Sequence, residues 1–186
     1  MEKDARQNQI LTIPNLLTVF RILLIPVIAW LYCWVRDYPM AAWVLVLSGI
    51  TDVADGFIAR HFHMVSDLGK VLDPIADKLT QTVALACLLT RFDAVWWVLG
   101  MLVVKETVMT VMGLLVIRRT GAVYSAAWHG KLATVMLYVI IFTHIVWYDI
   151  PEAVSGALAA AGVGCILLSL VLYTTANLGR IREAGK

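Results

Sequence analysis

Six long apolar stretches, each followed by a short polar one, run the length of the chain at about 15–35, 40–60, 70–90, 94–117, 129–148 and 152–176. A helix that crosses a bilayer needs about 20 mostly apolar residues. The pattern therefore predicts an all-α integral membrane protein of six transmembrane helices, with 1–186 forming a single membrane domain. The polar separators, at 36–39, 61–68, 91–93, 118–128 and 149–151, are short enough to join antiparallel neighbours. Residues 1–13 are polar and mixed in charge, and Pro14 marks a helix boundary, since the residue before a proline disfavours the α region. A short N-terminal interfacial segment is expected ahead of it. No small-residue cleavage site follows the first apolar run, so that run is expected to stay as a helix.

Composition agrees with the pattern. Hydrophobic residues make up 61% of the chain and the mean hydropathy is +0.82, against about 45–50% apolar in soluble domains. Cys33, Cys87 and Cys165 each fall inside an apolar stretch, which gives neither a disulfide framework nor a zinc site. The net charge of +2 is small, but its distribution is informative. With six spans, one side receives Lys3, Arg6, Arg21, Arg60, Lys70, Lys78, Arg118, Arg119, Lys131, Arg180, Arg182 and Lys186. The other receives Arg36 and Arg91 among Asp37, Asp93, Asp149 and Glu152. The positive-inside rule puts the first side, with both termini, in the cytoplasm. A cytoplasmic (inner) membrane location follows, with no nucleic-acid partner expected. Tyr38, Trp96, Trp97, Trp128, Trp147 and Tyr148 lie near span ends, as interfacial anchors do.

The polar residues that do not fit a lipid-facing role cluster between 52 and 77, as Asp52-x-x-Asp55-Gly56-x-x-Ala59-Arg60, eight residues, then Gly69-x-x-x-Asp73-x-x-x-Asp77. Asp52 and Asp55 are three apart and Asp73 and Asp77 four apart, so each pair shares one helix face. A charged residue within a bilayer costs about 2.5–3.5 kcal/mol on insertion scales, so four carboxylates require cations among them. Three readings follow. The carboxylates hold hard divalent cations for chemistry on a phosphate ester, or form an ion pathway, or pair with Arg60, Lys70 and Lys78 as a structural network. All four lie at one level near the cytoplasmic face, whereas a pathway needs polar groups at successive depths. Two glycines beside the carboxylates, each costing about 1 kcal/mol in a helix interior, suggest that a bulky ligand approaches the backbone. Metal-assisted phosphate chemistry is the preferred reading, the ion pathway second and the structural network last.

The string D-x2-D-G-x2-A-R-x8-G-x3-D-x3-D resembles the signature of the CDP-alcohol phosphotransferase family at every fixed position. Members move a substituted phosphate from a CDP-linked donor to an alcohol and release CMP. The resemblance implies that Asp52, Asp55, Asp73 and Asp77 are ligands of a divalent metal pair, Mg2+ or Mn2+, with Asp77 also the general base on the acceptor hydroxyl. It implies donor contacts at Gly56, Ala59, Arg60, Ser66 and Gly69. Pro14-Asn15-x-x-Thr18-x-x-Arg21 is similar to the family's opening segment near the nucleotide, which adds Asn15 and Thr18 to the donor site. Read without the family, Asn15 fits an ordinary helix N-cap equally well. The family also implies a homodimer. No spare nucleophile is evident, so direct in-line attack without a covalent enzyme intermediate is expected.

The acceptor rests on other residues. Arg118, Lys131 and Arg180 each adjoin the cytoplasmic end of a span and are candidates for binding an anionic acceptor; topology alone accounts for Arg119, Arg182 and Lys186. Lys105 and Glu106, deep in the fourth span, are either functional or an internal ion pair with other helices. The region from Lys105-Glu106 to the Gly130-Lys131 pair resembles that of the bacterial phosphatidylglycerophosphate synthase branch, with Ala133 where many members carry a second lysine. His61 and His63 read as interfacial and His144 as packed and hydrogen-bonded. Gly156, Ala160 and Gly164 form a small-residue stripe suited to helix packing within the monomer. The function expected is transfer of phosphatidyl from CDP-diacylglycerol to sn-glycerol 3-phosphate at the cytoplasmic side. The alternatives are a cardiolipin synthase using phosphatidylglycerol, or another lipid synthase that uses CDP-diacylglycerol. An intramembrane prenyltransferase and an ion carrier represent different classes.

Overall fold

The computed structural model describes residues 12–62, 66–121, 128–147 and 149–184, excluding the side chains of Arg60, Asp67, Lys70, Thr120, Trp128, His129, Glu183 and Ala184. The expected N-terminal interfacial segment lies almost wholly outside them, as does His63. Among the described residues the chain is helical and has no strand. Six α-helices follow one another: α1 (Ile13–Trp30, continued by a π turn Leu31–Val35), α2 (Tyr38–His61), α3 (Asp67–Leu88), α4 (Val95–Thr120), α5 (Trp128–Val146) and α6 (Glu152–Ala184). They coincide with the six apolar stretches to within a few residues, except that α6 runs on for eight residues to Ala184. Arg180 and Arg182 are therefore helical residues and not part of a trailing tail.

Among the described residues, four helices are long and apolar enough to cross a membrane: α1 with its π turn, α2, α4 and α6. The chain is thus a multi-pass membrane protein. α5 is a shorter apolar helix, and α3 is more polar because Asp67, Lys70, Asp73, Asp77 and Lys78 fall within its first 12 residues. Large apolar side chains stay exposed on the spans, among them Leu16 and Leu23 on α1, Trp43 and Val53 on α2 and Leu167 and Val171 on α6. Such surfaces suit lipid and not water.

Local sequence sets the helix ends. Thr12 caps α1, its hydroxyl accepting from the Asn15 N–H at 3.4 Å, with Pro14 in the first turn, where its missing N–H is not needed. Asp37 caps α2 by accepting from the Met40 N–H at 3.0 Å, and Ser66 caps α3 by accepting from the Gly69 N–H at 2.9 Å. Gly121, with φ 67°, takes the left-handed turn that ends α4.

The chain divides into two compact units, one of Met1–Thr90 with Ile145–Tyr148 and one of Arg91–His144 with Asp149–Lys186. In the first, α1 packs against both α2 and α3. In the second, α4 packs against α6. Gly162 makes the close approach there: a Cβ at that position would collide with the Ile140 side chain of α5 and meet Val98 of α4 at 3.9 Å. The Gly156 and Gly164 positions have open space instead, so the expected small-residue stripe is not the packing seam.

Candidate active site

Helix periodicity gives each of three helices a pair of polar side chains on one face. α2 supplies Asp52 and Asp55, α3 supplies Asp73 and Asp77, and α1 supplies Thr18 and Arg21. α1 packs against the other two helices, so the six groups converge. The Arg21 guanidinium sits in the middle. Its Nη1 pairs with Oδ1 of both Asp52 and Asp77, while Nη2 lies 2.9 Å from Asp55 Oδ2 and 3.9 Å from Asp73 Oδ1. The Thr18 hydroxyl donates to Asp73 Oδ1 at 2.6 Å.

Burial is uneven across this group. Arg21 and Asp55 side chains are 2% and 4% exposed, but those of Asp52, Asp73 and Asp77 are 42%, 45% and 39% exposed. Three carboxylates therefore keep an open edge, and the fourth is closed in with the arginine. Four ionised carboxylates and one guanidinium sum to a formal charge of −3. One Arg21 cannot balance the group.

A second layer ties the cap of α3 to α1. Ser66, besides capping α3, donates to Asn15 Oδ1 at 2.7 Å, and both side chains are buried. Gly69 lies under this bond: a Cβ there would meet Asn15 Oδ1 at 2.7 Å and Ser66 Oγ at 3.1 Å. Asn15 is thus not the N-cap of α1, a role Thr12 fills, and belongs to a buried contact between helices. Gly69 likewise has a reason within the fold, since its missing Cβ admits the Asn15 amide. Gly56 and Ala59 are half-buried in the last turns of α2, and Arg60 follows them with its side chain outside the described set.

Arg21 is the residue that the sequence reading undervalued, counting it with the cytoplasmic charges and in the opening motif. Almost fully buried and bound to aspartates, it does not act as a surface charge. The signal was available, because it is a lone cation in the middle of an apolar span with mean hydropathy 2.2.

The acceptor candidates belong to the second unit. Arg118 is exposed in the last turn of α4 and Lys131 is exposed in the first turn of α5. Arg180 is half-buried on α6 and its Nη1 donates to Asn177 Oδ1 at 3.0 Å. Lys105 is buried, and its Nζ reaches Glu106 Oε1 at 3.0 Å, so these neighbours pair with each other. His144 is fully buried, as expected. Its Nδ1 lies 2.8 Å from the Ile140 carbonyl, which can only accept, so Nδ1 carries the proton and Nε2 accepts from the Ser155 hydroxyl at 2.9 Å. All three cysteines are free.

A sequence model described as CDP-alcohol phosphatidyltransferase matches residues 11–175. The chain belongs to that family. Over 97% of its length it is 33% identical to a protein of Mycobacterium tuberculosis named probable phosphatidylglycerophosphate synthase, covering 87% of that relative. It is 31% identical over its full length to a putative cardiolipin synthase of Mycobacterium bovis, covering 92%. It is also 30% identical over 86% of its length to the CDP-diacylglycerol–glycerol-3-phosphate 3-phosphatidyltransferase of Pectobacterium atrosepticum, again covering 87%.

The donor chemistry of the converged carboxylates suits a hard divalent cation, which takes oxygen ligands. Their common centre already accommodates a positive group, and three of the four have an open edge. Among the described residues no three acidic, histidine or cysteine side chains surround a shared point at coordination geometry. The Arg21 guanidinium stands between them.

Proposed function

We propose that this chain transfers phosphatidyl from CDP-diacylglycerol to sn-glycerol 3-phosphate and releases CMP. The observation that carries the reading is the convergence of Asp52, Asp55, Asp73 and Asp77 in a member of this family, with an open edge toward solvent on three of them. Those four would hold a divalent pair, Mg2+ or Mn2+. When bound, such a pair neutralises the phosphate oxygens and stabilises the departing CMP.

The chain's own residues supply the rest. Asp77 takes the proton of the acceptor hydroxyl as that oxygen attacks phosphorus in line and the bond to CMP breaks. A carboxylate is a weak base for an alcohol, so its contribution rests on proximity to the attacking oxygen. Gly56, Ala59 and Arg60 line the donor position, while Asn15, Thr18, Ser66 and Gly69 hold α1 against α3 beside it. Thr18, fully buried with its hydroxyl on Asp73, is poorly placed to be a nucleophile, which favours direct transfer. CMP exchange in the absence of acceptor would contradict that order. Arg118, Lys131 and Arg180 bind the acceptor phosphate. The active site and both termini face the cytoplasm, and the membrane is the cytoplasmic one.

A cardiolipin synthase is the second reading, favoured by the similarity to the Mycobacterium bovis relative of that name. Purified protein given CDP-diacylglycerol, Mg2+ and a panel of alcohols separates the two. CMP release with glycerol 3-phosphate and not with phosphatidylglycerol supports the first, and the reverse supports the second. No CMP with any alcohol from folded protein would overturn both.

A further inference from the structure

Arg21 occupies the centre that a metal would need. Its Nη1 end takes Oδ1 of Asp52 on α2 and of Asp77 on α3, two of the three half-exposed carboxylates. Its Nη2 end rests on Asp55 Oδ2 at 2.9 Å, and both of those groups are closed off from solvent. Its Nε is buried without a hydrogen-bond partner among the described residues, so the guanidinium is not locked by all its donors. The side chain thus has a buried anchor at Asp55 and an exchangeable end facing the open edge.

We propose that Arg21 is an internal counter-cation that gathers the four carboxylates before metal arrives and competes with metal for Asp52 and Asp77, keeping its hold on Asp55. This rests on the metal-dependent reading above. Without a cation, like charges on α2 and α3 repel, and the two helices would have to separate or protonate their carboxylates. With Arg21 in place the site is assembled in advance, and entry of a divalent ion displaces Nη1 alone. Metal affinity is therefore set below what four carboxylates alone would provide, and Arg21 is the residue that sets it. Its role is positioning, since it acts through the aspartates.

The test is Mn2+ binding to full-length protein in detergent micelles, read by electron paramagnetic resonance of the free ion and needing no turnover. Removing a cation a few ångströms from a divalent ion raises the ion's affinity, so Arg21→Gln should bind Mn2+ about ten-fold more tightly than the unaltered chain, or more. It should also unfold at a lower temperature in EDTA and recover in Mn2+. Arg21→Lys keeps the charge but cannot span the carboxylates, and should show a smaller gain in affinity. It carries the test if the glutamine variant does not fold. A purely structural Arg21 gives the opposite sign, because loosened aspartates bind metal less well. Unchanged or weaker Mn2+ binding in the variants, or no Mn2+ binding by any of the proteins, overturns the proposal. If the unaltered chain still releases CMP while the variants show no gain, only the competition fails and the enzyme reading stands.

Discussion

Gly69→Ala separates two accounts of the same glycine. If the residue is a glycine to let a ligand lie against α3, alanine leaves the folded protein as stable as before, or slightly more so through helix propensity, by up to about 1 kcal/mol. The geometry requires a different result. The new Cβ would stand 2.7 Å from Asn15 Oδ1 and 3.1 Å from Ser66 Oγ, inside the buried hydrogen bond that joins them. Overpacking of this kind costs about 1–3 kcal/mol, and leaving the Ser66–Asn15 bond unmade adds about 1–3 kcal/mol where it cannot be replaced. After the propensity gain, a net loss of about 1–5 kcal/mol is expected. Asn15→Ala removes the atom that clashes, so Gly69→Ala in that background should cost less than about 1 kcal/mol, a coupling of the size contacting residues show. Equilibrium unfolding in mixed detergent micelles, followed by tryptophan fluorescence, measures all four corners of the cycle. Additive effects, or a stable Gly69→Ala with only donor affinity reduced, would refute the Asn15 account.

Other variants probe the remaining assignments. Asp77→Asn should lower turnover by about 10²–10⁴-fold, the usual contribution of a general base, while equilibrium binding of CDP-diacylglycerol is largely kept; near-normal turnover removes Asp77 from that role. Arg118→Gln or Lys131→Gln should raise the apparent KM for glycerol 3-phosphate about ten-fold, in line with losing one hydrogen bond to a charged group, and leave that for the donor nearly unchanged. Equal effects on both substrates would count against an acceptor pocket. Ser155→Ala strands the buried His144 Nε2 without its donor and should destabilise the protein by about 1–3 kcal/mol in the same unfolding assay. A change below about 0.5 kcal/mol, within the range of surface substitutions, would mean that this bond contributes little.

The six helices were legible because apolar length is a one-dimensional property that a chain displays directly. The end of α6 was not, since the apolar count stops near 176 while the hydrogen-bond ladder continues through Leu178 and Ile181 with Asn177 and Arg180 on the same helix. Pairing of Asp52 with Asp55 and of Asp73 with Asp77 was readable from spacing within each helix. The cation they share was not, because periodicity says nothing about which residue of another helix reaches the gap. Charges nearer in sequence, at Arg60, Lys70 and Lys78, were the natural candidates, while among the described side chains it is Arg21 of α1 that stands between all four. Gly69 failed in a related way. A missing side chain signals that something approaches, but the identity of Asn15 depends on how α1 packs against α3. The Gly156 and Gly164 spacing likewise suggested a seam, while the contact made is at Gly162.

Order of synthesis gives Arg21 a second significance. α1 is made first, and Asp52, the earliest of its partners, lies 31 residues further on. At about 5–20 residues per second the arginine waits roughly 2–6 s before a carboxylate can meet it. During that interval the helix carries an unpaired cation, worth about 2.5–3.5 kcal/mol against insertion at a span centre. The span that bears it has a mean hydropathy of 2.2, against 1.5 for α2. That apolar surface offsets the cost of the charge, helping to hold the helix in the membrane until the aspartates of α2 and α3 arrive to claim it.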